Sequence, residues 1–111
     1  MPKRNEKELM KAVAKQPVSV VLQASQSFKL YSGGIYTGPC GSTINHGVTV
    51  VGYGVGGNGK KYWIIKNSWG TTWGENGYMR IQKDINKPIG RCGLAQAPVY
   101  PIASSSATAS A

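Results

Sequence analysis

The chain's single histidine, His46, is its best candidate for general acid–base chemistry. It stands between Asn45 and Gly47 at the start of an apolar run, where a strand would mount it rigidly and the glycine would leave space for a ligand. Asn67 ends a later apolar run, so a hairpin would bring it beside His46. An asparagine oxygen bonded to one ring nitrogen would fix the tautomer and leave the other nitrogen facing a nucleophile. A structural histidine and a turn-capping asparagine are the alternatives.

All three tryptophans lie close to Asn67 in the sequence. Trp69 and Trp73 stand in a glycine-rich segment that predicts a tight loop, and Trp63 shortly precedes them. Large apolar rings on a loop indicate that they cover something. A ring laid over the contact between Asn67 and His46 would keep water from competing for it, and a small satellite core is the alternative.

The hydrophobic patterns predict the elements that would position these residues. An amphipathic helix is predicted over 5–15, with Asn5 as its N-cap and an apolar stripe. That stripe consists of Leu9, Met10, Val13 and Ala14. A short helical turn is predicted over 25–31, and glycines after it indicate a loop. The predicted strands are 18–24, 47–53, 61–67 and 78–82, the second and third forming a long hairpin. The pattern indicates an α+β fold that is mainly antiparallel β.

Composition limits the classes of protein to which the chain could belong. Its 111 residues suffice for one domain, and no apolar run approaches the roughly 18 residues of a membrane span. Thirteen Lys and Arg against four Asp and Glu give a formal charge of +9, although only 15% of the residues are charged. No signal peptide is recognisable, because the first residues are polar. Residues 102–111 are predicted to be a disordered tail.

The two cysteines, Cys40 and Cys92, favour a single disulfide. A zinc site would need more ligands than one histidine and few carboxylates supply. A disulfide in turn indicates an oxidising compartment.

Two segments carry a resemblance to a known family. NHGVTVVGYG at 45–54 and YWIIKNSWGTTWGENGY at 62–78 resemble the histidine and asparagine signatures of papain-like cysteine proteases of the plant type. The likeness extends through QPVSVVLQ at 16–23 and covers nearly everything from residue 5 to Pro101. It implies that residues 1–101 are the second, β-rich lobe of that fold, with a half-barrel-like sheet and an N-terminal helix. The nucleophilic cysteine would belong to the other lobe, whose motifs do not occur here.

The resemblance also implies roles for individual residues. His46 matches the general base and acid that forms an ion pair with the thiolate, and Asn67 matches the residue that orients it. Trp69 matches the ring that shields their contact, and Trp73 an aromatic wall on the leaving-group side of the cleft. Cys40 and Cys92 match positions that the family uses for a disulfide, so neither is expected to be the nucleophile.

Four further residues align with the family's pocket for the second substrate residue before the cut. They are Val21, Ile44, Gly47 and Ala97. All are small or apolar, so a hydrophobic substrate side chain is expected there, because a charged one would lose hydration without gaining a partner. Asn45 stands where many relatives have Asp, which would make the cleft less acidic.

These observations support two hypotheses about function. In the first, the chain supplies the base of a cysteine endopeptidase, needs no metal or cofactor, acts only with the missing N-terminal lobe, and is inactive alone. The full-length precursor would then be secreted, vacuolar or lysosome-like. In the second, the chain is a non-catalytic basic binding module. Its basic residues are scattered, so no specific nucleic acid is expected, whereas weak self-association through an uncovered apolar face is.

Overall fold

A five-stranded sheet organises the molecule. The computed structural model describes residues 6–41, 43–85 and 90–96. Its helices are α1 (Glu6–Val13) and α2 (Gln26–Lys29), and Arg91–Gly93 form a 3₁₀ turn. Its strands are β1 (Val18–Leu22), β2 (Ile35–Tyr36), β3 (His46–Val55), β4 (Lys61–Lys66) and β5 (Tyr78–Gln82). The predicted α+β class is confirmed.

The strands lie in the order β1-β3-β4-β5-β2. Every neighbouring pair is antiparallel except β2 with β5, which run parallel. The β3–β4 hairpin closes in a turn where Gly59, at a positive φ of 81°, donates its N–H to Gly56 O. Only glycine adopts such a backbone without strain, so this residue permits the tight turn. The register shifts between Val50 and Gly52, which marks a bulge in the long strand β3.

One hydrophobic core lies between the sheet and α1. The alternate residues of β1 face inward, and α1 contributes the buried Leu9 and Val13 to the same core. Ala14 was predicted on the same stripe but is exposed, because the helix ends at Val13. The apolar side of α1 is therefore used inside this domain, and the predicted N-cap, Asn5, lies outside the described residues.

Three strand boundaries differ from the predictions. β1 ends at Leu22 instead of continuing to residue 24, since the Ala24 N–H donates to the side chain of Asn45. β4 ends at Lys66, one residue before the predicted end, although the Asn67 N–H still donates to Gly77 O beside the start of β5. β3 is longer than predicted and starts at His46 itself.

Two other features were not foreseen. β2 lies in a stretch that the glycines predicted to be loop, and it pairs with β5 at the edge of the sheet. Trp63 is fully buried in β4, where it pairs across the sheet with Ile81. The strand predicted over 61–67 included Trp63, but the sequence did not show that its ring belongs to the main core.

A disulfide joins Cys40, in the segment before β3, to Cys92 in the 3₁₀ turn, as the sequence predicted. Their Cα atoms are 5.2 Å apart. In the described ranges no helix combines the length and the apolar character that crossing a bilayer requires. The predicted tail at 102–111 lies outside the described residues.

Candidate active site

The side chains of His46 and Asn67 meet at one end of the β3–β4 hairpin. His46 opens β3 and Asn67 directly follows β4, and the antiparallel register brings these two strand ends together. His46 Nε2 lies 2.7 Å from Asn67 Oδ1. A carboxamide oxygen only accepts, so Nε2 carries the proton and the neutral ring keeps its lone pair on Nδ1. The ring therefore offers Nδ1 as a proton acceptor.

The carboxamide of Asn67 is held in one orientation. The backbone N–H of Ser68 donates to the same Oδ1 atom over 2.7 Å, and a backbone N–H can only donate, which identifies that atom as oxygen. Asn67 is 6% exposed, and its Nδ2 has no hydrogen-bond partner among the described residues. An unpaired buried donor costs roughly 1–3 kcal/mol. The orientation of Asn67 is thus kept at the expense of stability, which is typical of a functional site.

Trp69 covers this hydrogen bond. Its ring stacks on His46 with the centroids 4.6 Å apart and the planes 28° from parallel. Trp69 belongs to the glycine-rich loop after β4, so the loop folds back over the end of the hairpin. A hydrogen bond shielded from water is electrostatically stronger than an exposed one. The indole can therefore hold the tautomer of His46 by keeping water away from Nε2.

Phe28 completes the cluster, and sequence reasoning did not assign it to the site. It lies in α2, whose first turn is capped by Ser25 Oγ accepting from the Phe28 N–H. Phe28 is fully buried, and its ring centroid is 5.9 Å from that of Trp69 and 6.5 Å from that of His46. The predicted helical turn contained Phe28, but nothing in its spacing pointed to His46, because the contact is purely tertiary.

Trp73 packs against the ring of Trp69. The two rings meet edge to face at 5.2 Å, and Trp73 stacks on Phe28 at 5.7 Å. Trp73 is only 8% exposed, and its indole N–H donates to Lys29 O in α2 over 3.1 Å. Trp73 is therefore mostly buried in the described structure, and its place in the wall of a cleft stays a prediction.

Asn45 fixes the entry into β3. Its Oδ1 accepts from the Ala24 N–H over 2.8 Å, and its own N–H donates to Leu22 O over 3.0 Å. These two bonds continue the pairing of β1 with β3 beyond the strand end. Asn45 thereby holds the backbone on which His46 is mounted.

An open groove of about 780 Å³ runs along the outer surface of β1, β3 and β4 beside the site. Its lining includes Pro17, Ser19, Val21, Gly47, Asn67 and Tyr78. Val21 and Gly47 are direct partners in the β1–β3 register. Ile44 lies outside this lining and is 41% exposed, and Ala97 lies outside the described residues. The structure thus brings together two of the four predicted pocket residues.

Among the described residues, the site offers a proton acceptor on His46 and contains no free cysteine thiol. The sequence contains two cysteines, and both are in the disulfide. Among the residues that the structure describes, no three His, Cys, Asp or Glu side chains converge as metal ligands. The geometry suits proton transfer at Nδ1 of His46 and needs a reacting group supplied from outside the described chain.

Comparison with known proteins identifies relatives of this arrangement. The family model described as papain family cysteine protease matches residues 1–102. The senescence-specific cysteine protease SAG39 of rice is 54% identical over 104 residues, which are 93% of this chain and 31% of that protein. Fruit bromelain of Ananas comosus is 44% identical over 107 residues, 96% of this chain and 30% of its own length. The chain therefore spans less than a third of these relatives.

Solved structures give the same result. The bromelain protease from Ananas comosus in complex with the E64 inhibitor has a TM-score of 0.90 and 48% identity, over 93% of this chain and 48% of that one. A recombinant stem bromelain precursor has a TM-score of 0.89 and 49% identity, over 94% of this chain and 34% of that one.

Proposed function

The chain belongs to the papain family of cysteine proteases, and on that premise we propose that it is the His- and Asn-bearing C-terminal lobe of a plant cysteine endopeptidase. The observation that carries the proposal is the 2.7 Å contact between His46 Nε2 and Asn67 Oδ1 beneath Trp69. It leaves Nδ1 as a proton acceptor, which is what activation of a thiol requires. The partner is an N-terminal lobe that brings the nucleophilic cysteine.

In the proposed mechanism His46 moves the protons. Nδ1 takes the proton of the partner lobe's thiol, and the thiolate forms a bond to the scissile carbonyl carbon while the carbonyl oxygen becomes negative. When this intermediate collapses, the C–N bond breaks and Nδ1 returns its proton to the departing amine. Water then attacks the thioester, giving a proton to Nδ1, and the C–S bond breaks to restore the thiol. Asn67 keeps Nε2 protonated throughout.

The groove beside the site supports a proposal about the substrate. It meets the catalytic end of the hairpin at Asn67, and Val21 contributes an apolar side chain while Gly47 contributes none. A hydrophobic side chain two residues before the cut would gain by leaving water there, whereas a charged one would lose its hydration. The proposed substrates are therefore peptides and proteins with an apolar residue at that position.

A chimera tests the proposal. We would join this chain to the N-terminal half of pineapple bromelain, which this chain does not cover in the solved structure. The expected result is hydrolysis of a fluorogenic peptide with leucine two residues before the cut, slower hydrolysis of a matched peptide with aspartate there, and inhibition by E64. The 111-residue chain alone should give negligible turnover, because a His–Asn pair lacks a nucleophile within hydrogen-bond reach.

Two variants make the result decisive. His46→Ala should abolish turnover by the chimera, while Lys7→Ala, an exposed change on α1, should not. A folded chimera that is inactive, or one whose activity survives His46→Ala, would contradict the proposal. So would peptide hydrolysis by the chain alone.

The basic-module hypothesis receives less support from the contacts. Arg80 is paired with Glu75 at 2.8 Å, and Lys61 and Lys83 both lie within 3.4 Å of Asp84. These cations are partly neutralised by the chain itself, which weakens the field that a polyanion would meet. We therefore favour a peptide substrate over a nucleic-acid partner.

The disulfide supports a proposal about compartment. Bonds such as Cys40–Cys92 persist in oxidising environments and are rare in the cytosol. Together with membership of a family whose matched relatives are plant proteases, this favours a secreted or vacuolar protein. Trapping free thiols in tissue extract with a mass-tagged alkylating reagent should find neither cysteine labelled.

A further inference from the structure

The carboxylate of Glu75, outside the candidate active site, accepts hydrogen bonds from three donors. Glu75 lies near the end of the glycine-rich loop between β4 and β5, and its Oε1 and Oε2 accept from Arg80 Nε at 3.0 Å and Nη2 at 2.8 Å. Its Oε2 also accepts from the Gly34 N–H at 2.9 Å. Bidentate pairs of this kind are stronger and more directional than single ion pairs. Glu75 thus joins the end of the loop to β5 and to the segment before β2.

Tyr31 connects the same three segments from the inside. Its hydroxyl donates to Gly34 O at 2.6 Å and accepts from the Arg80 N–H at 3.2 Å. The Tyr31 ring is buried and lies 5.4 Å from the ring of Trp73. A Cβ added to Gly74 would come within 3.0 Å of the Tyr31 ring, so the loop presses closely on it.

A continuous series of ring contacts leads from Tyr31 to the imidazole. The Tyr31 ring contacts Trp73, Trp73 meets Trp69 at 5.2 Å, and Trp69 stacks on His46 at 4.6 Å. Close-packed interiors transmit displacements because they contain few voids to absorb them. Loosening the outer end of this series would let the Trp69 ring move away from His46.

We propose that Glu75 and Tyr31 are positioning residues, which hold the loop so that Trp69 stays on the imidazole and the bond between His46 and Asn67 stays dry. The structural claim stands on the contacts above, and its catalytic meaning rests on the proposed function.

Glu75 is suited to this role over a wide range of acidity. The hydrogen bonds from the Arg80 guanidinium hold the pKa of Glu75 below its usual value, against the smaller opposing effect of burial. An acid with a lowered folded-state pKa contributes stability above its unfolded pKa and loses it as the pH falls through the folded pKa. The carboxylate of Glu75 therefore remains charged, and paired with Arg80, in mildly acidic compartments.

The test uses the 111-residue chain and needs no turnover. Because the chain has one histidine, the ring ¹⁵N and N–H signals in NMR spectra belong to His46 alone. Glu75→Gln is expected to speed solvent exchange of the Nε2 proton by about tenfold and to shift the ring from one tautomer toward a mixture, as the loss of a charge-assisted pair would allow. Glu8→Gln, the same change on the partly exposed surface of α1, should leave both signals unchanged.

A second variant keeps the test decisive. Tyr31→Phe removes two hydrogen bonds but keeps the buried ring, so it is expected to fold and to change His46 in the same direction as Glu75→Gln. If Tyr31→Phe folds and its His46 exchange rate and tautomer match the unmodified chain, the proposal is wrong, whether or not Glu75→Gln folds. A chimera without protease activity would contradict the proposed function but would leave this NMR result unaffected.

Discussion

At the scale of single residues, the chemistry depends on which atoms Asn67 presents. Its oxygen faces the imidazole because Ser68 and His46 both donate to it, and its buried amide nitrogen is left without a partner among the described residues. The hairpin spacing in the sequence allowed Asn67 to lie beside His46 but left a turn-capping asparagine as the alternative, and the structure shows the contact. That spacing could not reveal Phe28, because a ring contact between α2 and β3 depends on how the elements pack and not on any local pattern.

The role of Asn67 yields a prediction for the chimeric protease. Asn67→Ala removes the acceptor that keeps the proton on Nε2, so Nδ1 would be protonated in part of the molecules and unable to accept from a thiol. A misplaced catalytic group costs on the order of 100-fold in rate, and we expect kcat to fall by about that factor with little change in KM. Steady-state kinetics measures both constants.

A matched control is available in the hairpin turn. Asn58 accepts a hydrogen bond from the Lys60 N–H and lies at the far end of β3 and β4. Asn58→Ala should leave kcat unchanged. Equal losses in the two variants would mean that Asn67 acts on stability instead of on the imidazole.

At the scale of elements, α1 is joined to the sheet by a buried acid. Glu6 is 6% exposed, its Oε2 accepts from the indole N–H of Trp63 at 2.7 Å, and its Oε1 accepts from the Ile85 N–H at 3.3 Å. Burial, as the largest cause, raises the pKa of Glu6 above its ordinary value of 4.5, and the nearby charge of Asp84 adds to the effect. Hydrophobic periodicity predicted this helix, but it gave no sign that its first acidic residue points inward.

The raised pKa of Glu6 yields a prediction about stability and pH. For an acid whose folded-state pKa is raised, the stabilising contribution is present below the unfolded pKa and is lost as the pH rises through the folded pKa. Glu6→Gln removes this loss. The free energy of unfolding of the variant, relative to the unmodified chain, should therefore increase between about pH 4 and about pH 7.

Urea titrations followed by tryptophan fluorescence at the two pH values measure this difference. Only its change with pH is diagnostic, because glutamine also alters the hydrogen bond to Ile85 by a pH-independent amount. Glu8→Gln, on the same helix and on its solvent side, controls for the loss of one negative charge. A Glu6→Gln difference that stays constant with pH, or decreases toward neutrality, would show that Glu6 is not a destabilised buried acid.

At the scale of the whole molecule, strands of five residues or more could be predicted from their residue pattern, whereas the two-residue strand β2 could not. The hairpin strands and β5 are five to ten residues long, which is enough for an apolar or alternating pattern to be recognised. β2 has only two residues. It pairs in parallel with β5, and the segment before it is held by the hydrogen bond from the Gly34 N–H to Glu75. The fold class and the pairing of His46 with Asn67 could therefore be predicted. The contacts of Phe28 and Glu75 could not, because they join segments that are distant in the sequence.

The disulfide is the longest covalent constraint in the chain, and its removal gives the final prediction. Cys40 and Cys92 are 52 residues apart, so in the chain-entropy account the bond stabilises the fold by on the order of 4 kcal/mol. A domain of this size has a total stability of about 5–15 kcal/mol, so the double variant Cys40→Ala/Cys92→Ala should lose a substantial part of it. Urea unfolding should show a much lower midpoint, and the unmodified chain should reach the same midpoint in reductant. The disulfide shares no residue with the hydrogen bond between His46 and Asn67. The His46 NMR signals of the folded fraction should therefore stay unchanged. A midpoint that does not move would mean that packing around the 3₁₀ turn, and not the crosslink, stabilises this end of the structure.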